Sequence, residues 1–293
     1  MKSLYQLLLS SLILLSIGCQ TSVKESNNIQ DVKGSKENIQ SVVYKIPEME
    51  SVIIEENIVY KTHGDSTLNL DLYRPPSKEQ FLPVIVFVSG FRTDVFKITK
   101  YGQYISWAKL LAASGFIAVT YETLDQKTDL EDLISFLREK GNSLNIDKDQ
   151  IGLWMCSGNT PTGLTYILEN NMDYIKCGVI YYGLILIEGW DHLDYWDSVL
   201  ADRSVMSPRV NLESEIKTNT SILIVRAGLE HYPYINEGID RFLLKANENN
   251  LLITFVNYPE GRHGFDIKDD NDNSRDIIKF TIDYFNRHLK TEQ

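Results

Sequence analysis

The chain has 293 residues, 43% of them hydrophobic, 24% charged and 11% aromatic, a globular composition at a length that lets one large domain bury most of its surface. The formal net charge of −11 comes with no basic cluster, which argues against a nucleic-acid partner. The acidity is spread over many segments and says little about a substrate.

Met1-Lys2 precedes an apolar stretch from Leu4 to Ile17, too short for a spanning helix and of the form of a signal peptide. It ends Leu15-Ser16-Ile17-Gly18-Cys19. That ending resembles the lipobox of bacterial lipoproteins, with Ser16 where those proteins prefer Leu. The resemblance implies a leader over residues 1–18, lipidation of Cys19 and a membrane anchor without a transmembrane helix. Gln20 rather than Asp after the cysteine implies, in a Gram-negative cell, no retention at the inner membrane, so the expected location is the cell envelope, at the outer membrane. Plain secretory cleavage is the alternative. The following residues are polar and poor in aromatics, so 19–43 is read as a tether and 44–293 as the folded domain. The remaining cysteines, Cys156 and Cys177, are read as small buried side chains rather than a disulfide.

Val52–Tyr60 and Leu68–Tyr73 are β-like runs divided by the turn cluster His63-Gly64-Asp65-Ser66. Leu68, Leu70 and Leu72 alternate with Asn69, Asp71 and Tyr73, which predicts one buried and one wet face. His63 has no acidic partner in register and is read as a surface histidine. Pro83–Gly90 is a continuous apolar, β-branched run, the pattern of a central strand covered on both faces of a parallel sheet. It ends Ser89-Gly90-Phe91, where a glycine lets backbone N–H groups approach a ligand. Tyr101–Ala113 reads as a helix stopped by Gly115, and Phe116–Tyr121 as another buried strand. Thr128-Asp129-Leu130-Glu131 has capping-box spacing and is expected to open a helix that ends at Gly141.

Ile151-Gly-Leu-Trp-Met-Cys-Ser-Gly-Asn159 is an apolar strand that stops at a small-residue corner, with a helix expected over Pro161–Leu168. Such a corner can expose one side chain at a helix N-terminus, where free N–H groups and the dipole favour negative charge. It is the form of a nucleophile elbow with Ser157 as nucleophile, except that Met155 and Asn159 stand where the elbow has glycines. On this stretch alone, a buried strand followed by an ordinary turn is an equal reading.

Cys177–Tyr182 is a further strand. Residues 184–217 break the rhythm, with Trp190, Tyr195, Trp196 and Met206 among Asp191, Asp194, Asp197 and Asp202. They are read as a cap over a pocket, with one amphipathic helix and its flanks as the alternative. Ser221–Ala227 and Leu251–Tyr258 are strands, Asn236 is expected to cap a helix, and Ser274–Leu289 closes the chain as another.

Strands alternating with helices point to an α/β domain with a mostly parallel sheet, whose ligands bind at the carboxyl ends of strands. Ser157, Glu230 and His263 fall at three such ends, in the nucleophile–acid–histidine order of α/β-hydrolases. Ester hydrolysis needs those roles: a hydroxyl nucleophile, a base titrating near the working pH and a carboxylate that fixes the base's tautomer.

From about residue 60 to residue 289 the chain resembles the α/β-hydrolases, in particular the dienelactone-hydrolase-like branch. The residues that carry the likeness are Leu70-Asp71-Leu72-Tyr73-Arg74-Pro75, Val84–Gly90, Ile151–Asn159, Arg226–Glu230 and Glu260–Asp266, with His263-Gly264-Phe265 the most specific. The resemblance implies the α/β-hydrolase fold, with helices on both faces of the sheet. It makes Ser157 the nucleophile, His263 the base and Glu230 the acid, where relatives more often carry Asp. It makes the N–H of Gly158 and an N–H at Gly90 or Phe91 the oxyanion donors, although Ser89-Gly90 stands where the family has His-Gly. Some dienelactone hydrolases use cysteine, so Cys156 is a rival nucleophile, but the family's Ile-Gly opening of this strand points to Ser157.

The expected activity is cleavage of a small-molecule carboxylic ester through an acyl-enzyme, with neither cofactor nor metal. A catalytically inactive hydrolase fold serving as a binding module at the cell envelope is the alternative, and a peptidase comes third. Glu188, Asp191 and Asp194 are alternative acids. Glu260 and Asp266 are read as surface residues or as lying behind the site. Asp269, Asp270 and Asp272 are read as complementing a helix dipole rather than binding calcium, and His231 and His192 as solvent-facing.

Overall fold

The computed structural model describes residues 40–64, 66–76, 81–170, 172–189, 194–197, 209–211 and 218–290. The expected leader, Cys19 and most of the tether lie outside these residues, as do Trp190, Asp191, His192, Asp202 and Met206 and the side chain of His63. Val42 is fully buried and its N–H donates to Ser106 Oγ (2.9 Å), so the packed domain reaches at least two residues ahead of Tyr44.

The apolar runs form eight strands: β1 (Ile53–His63), β2 (Ser66–Arg74), β3 (Leu82–Phe87), β4 (Ile117–Tyr121), β5 (Ile146–Cys156), β6 (Ile175–Tyr181), β7 (Ser221–Leu229) and β8 (Ile253–Arg262). Their spatial order is β1-β2-β4-β3-β5-β6-β7-β8. β1–β2 and β2–β4 pair antiparallel and every other pair is parallel. The helices are α1 (Gly102–Ala113), α2 (Gln126–Glu139), α3 (Gly141–Leu144), α4 (Thr160–Glu169), α5 (Ile235–Glu248), α6 (Phe265–Lys268) and α7 (Asp272–Leu289).

Alternate residues of each central strand feed two cores. Ile85, Phe87, Trp154 and Cys156 join Trp107 and Leu111 of α1 and Phe285 of α7 on one face. Val84, Val86, Leu153 and Met155 join Leu133 of α2, Leu164 of α4 and Phe242 of α5 on the other. Both faces are covered, as the unbroken apolar runs require.

Three local expectations change. The second face of β2 is not wet: Asp71 and Tyr73 are buried, because Tyr73 packs with α1 and Asp71 accepts the N–H of Asn57 (2.9 Å). The cap of α2 is Asp125, which accepts the N–H of Thr128 (3.0 Å). The capping-box reading loses to Asp129, whose carboxylate turns back onto Thr123 Oγ1 and the N–H groups of Leu124 and Asp125. At α5 the cap is Tyr234 in a left-handed conformation, and Asn236 instead donates to the Ala227 carbonyl (2.9 Å). Within 184–217, Leu184, Ile185 and Leu186 belong to the core, Ile187 bridges Val210, and residues 194–197 form a helical turn.

Candidate active site

β5 runs extended through Cys156, and Ser157 then turns to φ 49° before a 3-10 turn (Ser157–Asn159) leads into α4. A non-glycine residue there stores strain of about 1–3 kcal/mol, held by its surroundings. The corner is fixed by close approach on both flanks. A Cβ on Gly90 would lie 2.7 Å from Asn159 Cα and from Gly158 O, so only glycine lets the turn after β3 touch the elbow backbone. Met155 is fully buried, and a Cβ on Gly163 of α4 would lie 2.8 Å from its sulfur. The two positions that carry glycine in the usual elbow are therefore filled here, and the room comes from glycines on the facing segments.

Asn159 adds polar locks. Its Oδ1 accepts the N–H of Gly90 (2.8 Å) and its Nδ2 donates to Tyr104 OH, all three groups being buried. The Gly90 N–H is thus engaged within the chain, whereas among the described residues no hydrogen bond engages that of Phe91. The Phe91 ring lies against the Cα of Gly158, where a Cβ would meet it at 2.7 Å.

Cys156 precedes the corner and packs into the core on the α1 face of the sheet. It is buried, 3.4 Å from Tyr104 OH, and burial pushes its thiol up to about 12. A thiol so placed is almost entirely protonated at neutral pH, and the thiolate is the reactive form. Cys177 is likewise free and buried.

The histidine stands after β8. His263 Nδ1 lies 2.6 Å from Glu230 Oε2, and both side chains are buried. The other carboxylate oxygen, Oε1, accepts the N–H groups of His231 and Tyr232 (2.9 Å each), so Glu230 cannot swing away. The His263 loop is closed on itself: Arg262 donates through its N–H (3.0 Å) and Nε (2.6 Å) to Asp269, and Lys268 Nζ donates to the His263 carbonyl (3.0 Å). Gly264 takes φ 78° inside this loop. With Nδ1 engaged by a carboxylate, Nε2 is the ring nitrogen left for chemistry.

β5 to β8 are adjacent and parallel, so Ser157, Glu230 and His263 share the carboxyl edge of the sheet. Glu230 and His263 are in contact. Among the described residues no hydrogen bond joins Ser157 Oγ to the imidazole. The link between them runs through the end of β6: the Leu184 N–H donates to Ser157 O (3.0 Å), and the ring of Tyr182 lies 4.5 Å from that of His263.

Glu188 and Asp194 are exposed and contribute nothing to the histidine, Glu260 is exposed, and Asp270 and Asp272 pair with Arg275. His231 is solvent-facing, its ring 5.8 Å from that of His263. Asp266 is no surface residue. It is fully buried and accepts from Gln103, Trp107 and Tyr182. Of the two readings given to Asp266, lying behind the site is the one its burial fits, whereas Tyr182 was not marked by sequence pattern, because its contact with Asp266 spans 84 positions.

No family model matches the sequence, and a comparison with curated proteins finds no match. Solved structures do match in shape. An esterase from the planctomycete Thermogutta terrifontis, with butyrate bound, superposes with a TM-score of 0.63 at 15% identity, covering 84% of this chain and 98% of that one. The esterase LipW from Mycobacterium marinum gives 0.66 at 11% identity, over 82% and 83%. One of two fungal esterases from Rhizomucor miehei gives 0.62 at 17%, over 81% and 84%. The fold is that of the α/β-hydrolases. At such low identity the likeness speaks for architecture, and the chemistry has to be argued from the residues.

Proposed function

We propose that this α/β-hydrolase-fold protein is a serine carboxylic-ester hydrolase of the dienelactone-hydrolase-like kind, acting on a small-molecule ester. The observation that carries the reading is the buried 2.6 Å pair of His263 and Glu230, standing on the sheet edge where Ser157 turns at φ 49°. A buried histidine–carboxylate pair on the same sheet edge as a strained serine at the turn into a helix suits nucleophilic ester cleavage. His263 Nε2 takes the Ser157 proton as Oγ bonds the carbonyl carbon. The imidazolium returns that proton to the departing alcohol, and water then repeats the sequence on the acyl-enzyme. Glu230 holds the tautomer and offsets the charge. The oxyanion donors in this reading are the N–H groups of Gly158 and Phe91, since that of Gly90 is held by Asn159. The buried, protonated thiol of Cys156 supports serine over cysteine.

The inactive-module alternative rested on Met155 and Asn159 distorting the corner, and both are accommodated by facing glycines. We extend the proposal to export as a lipoprotein: leader 1–18, lipid on Cys19, a tether to the domain, and the cell envelope as location. Of residues 184–217, Leu184 to Ile187 belong to the core, and the part after them is proposed as a cap over the substrate. A fluorophosphonate probe is expected to label Ser157, and Ser157→Ala to lower 4-nitrophenyl acetate turnover by roughly 10⁴-fold or more. Labelling that persists on Cys156 in that variant overturns the nucleophile, and no labelling with no turnover across short acyl esters overturns the enzyme reading.

A further inference from the structure

We infer that Tyr182 and Asp266 form a second brace on His263, the tyrosine ring lying against the imidazole that Glu230 holds at Nδ1, and that they stabilise the imidazolium. The inference rests on the reading of His263 as the base.

Tyr182 follows β6 at φ 38°, a conformation that a tyrosine adopts only when held. Its N–H donates to the Val225 carbonyl (2.8 Å), and its ring lies 4.5 Å from the His263 ring at an interplanar angle of 52°. Its hydroxyl donates to Asp266 Oδ1 (2.7 Å) and accepts from Gln103 Nε2 (2.8 Å). Asp266 Oδ2 accepts from Gln103 Nε2 (2.8 Å) and from Trp107 Nε1 (2.7 Å). The indole N–H and the amide NH₂ can only donate. All three partners therefore suit an ionised carboxylate, and a protonated one would find no acceptor on either nitrogen. Burial raises Asp266 above the ordinary range, and the three donors oppose that rise.

A phenol that donates to a buried carboxylate carries extra electron density on its ring. The face of such a ring attracts a cation, and His263 becomes one in each proton transfer. A purely structural role for Asp266, joining the His263 loop to α1, explains Gln103 and Trp107. It does not explain why a strained tyrosine is set against the imidazole with its hydroxyl on the same carboxylate.

The other groups in contact with His263 or its ring are Glu230 at Nδ1, His231 and Tyr232 on the Glu230 loop, and Lys268 on its backbone carbonyl. The ring of Tyr232 lies 4.7 Å away. Tyr182→Phe leaves all of them in place. It keeps the aromatic face and removes the hydroxyl, whereas Tyr182→Leu removes the face as well.

The test is an NMR titration of the His263 ring in the intact protein, which needs no turnover. The expected order of imidazole basicity is wild type, then Tyr182→Phe, then Tyr182→Leu. The proton-binding constant should fall about two- to fivefold for Phe and about tenfold for Leu. kcat should fall by similar factors with KM unchanged. Asp266→Asn should match Tyr182→Phe; if it does not fold, the two Tyr182 variants still decide. Equal His263 titration in wild type, Phe and Leu variants overturns the brace. Failure of the wild type to react with the fluorophosphonate or to turn over esters overturns the hydrolase reading instead, and the titration then still reports on the brace.

Discussion

The serine corner and the histidine loop are held in opposite ways. At the corner the backbone of Ser157 to Asn159 is trapped by contact, with Gly90 against Asn159 Cα and Gly163 against the Met155 sulfur, and a Cβ on Gly90 could be admitted only by displacing main chain. The histidine loop is held by charge and hydrogen bonds: Glu230 on Nδ1, Arg262 on Asp269, Lys268 on the His263 carbonyl and Tyr182 on Asp266. A steric lock fails all at once, because packed interiors do not yield continuously. A polar lock loosens by degrees. In the proposed reaction Ser157 must be placed closely while His263 passes a proton between two oxygen partners, and the two kinds of lock suit those tasks.

The largest effect is expected at the tightest contact. Gly90→Ala puts a methyl 2.7 Å from two backbone atoms, neither of which can rotate away. It should destabilise the protein by about 3 kcal/mol or more and abolish ester turnover, read by urea unfolding and 4-nitrophenyl acetate assay. Gly158→Ala is the control, since its methyl meets only the ring of Phe91. Pairing it with Phe91→Ala should recover most of the loss. If Gly90→Ala proves as mild as Gly158→Ala, the corner is not backbone-locked.

The relocated glycines give the next test. Gly163→Ala drives a methyl to 2.8 Å from the Met155 sulfur and should cost about 1–3 kcal/mol. Met155→Ala alone leaves a cavity costing about 2–5 kcal/mol. The double variant should be more stable than the sum of the two losses by about 1 kcal/mol or more, a coupling that only contacting residues show. Strict additivity would mean that Gly163 is there for another reason.

These contacts also mark how much of the molecule was legible beforehand. β3 to β7 were readable because strands covered on both faces carry apolar runs, and the two cores on either side of Trp154 and Met155 follow from that pattern. Glu230 and His263 were readable from their order at strand ends. Gly163 and Gly90 were not readable as the elbow's glycines, because they reach it through the fold rather than along the motif. Asp71 and Tyr73 were misread for a related reason: alternation reports the faces of one strand, not whether a neighbour covers the second. At α2 the spacing Thr128–Glu131 was genuine, but Asp125 lay three residues nearer the turn and took the N–H first. Asp266 was noticed only for its place beside His263, and Tyr182 left no local trace, since its partner lies 84 positions away.

Asn159 joins the two kinds of lock, and its removal should have an intermediate effect. Asn159→Ala leaves the Gly90 N–H and the Tyr104 hydroxyl buried without this partner, a loss of about 1–3 kcal/mol. The freed Gly90 N–H then competes with that of Phe91 for an oxyanion, so turnover should fall less than in Gly90→Ala. A wholly inactive but stable Asn159→Ala would show that the amide does more than hold the corner.

The smallest effect belongs to the outer tie of the histidine loop. Arg262 is largely exposed while its partner Asp269 is buried, so the pair is partly screened and Arg262→Ala should cost only about 1 kcal/mol. Losing the side chain leaves the Arg262 N–H on Asp269 and Lys268 on the His263 carbonyl, so the loop keeps its path and its histidine. Turnover should then drop a few-fold rather than vanish. Raising the ionic strength should weaken the wild type towards the variant, because a partly exposed ion pair is screened by salt and the steric corner is not. Measured as kcat against salt for both proteins, the curves should converge. Parallel curves, or a variant without activity, would mean that the histidine loop is as unyielding as the serine corner.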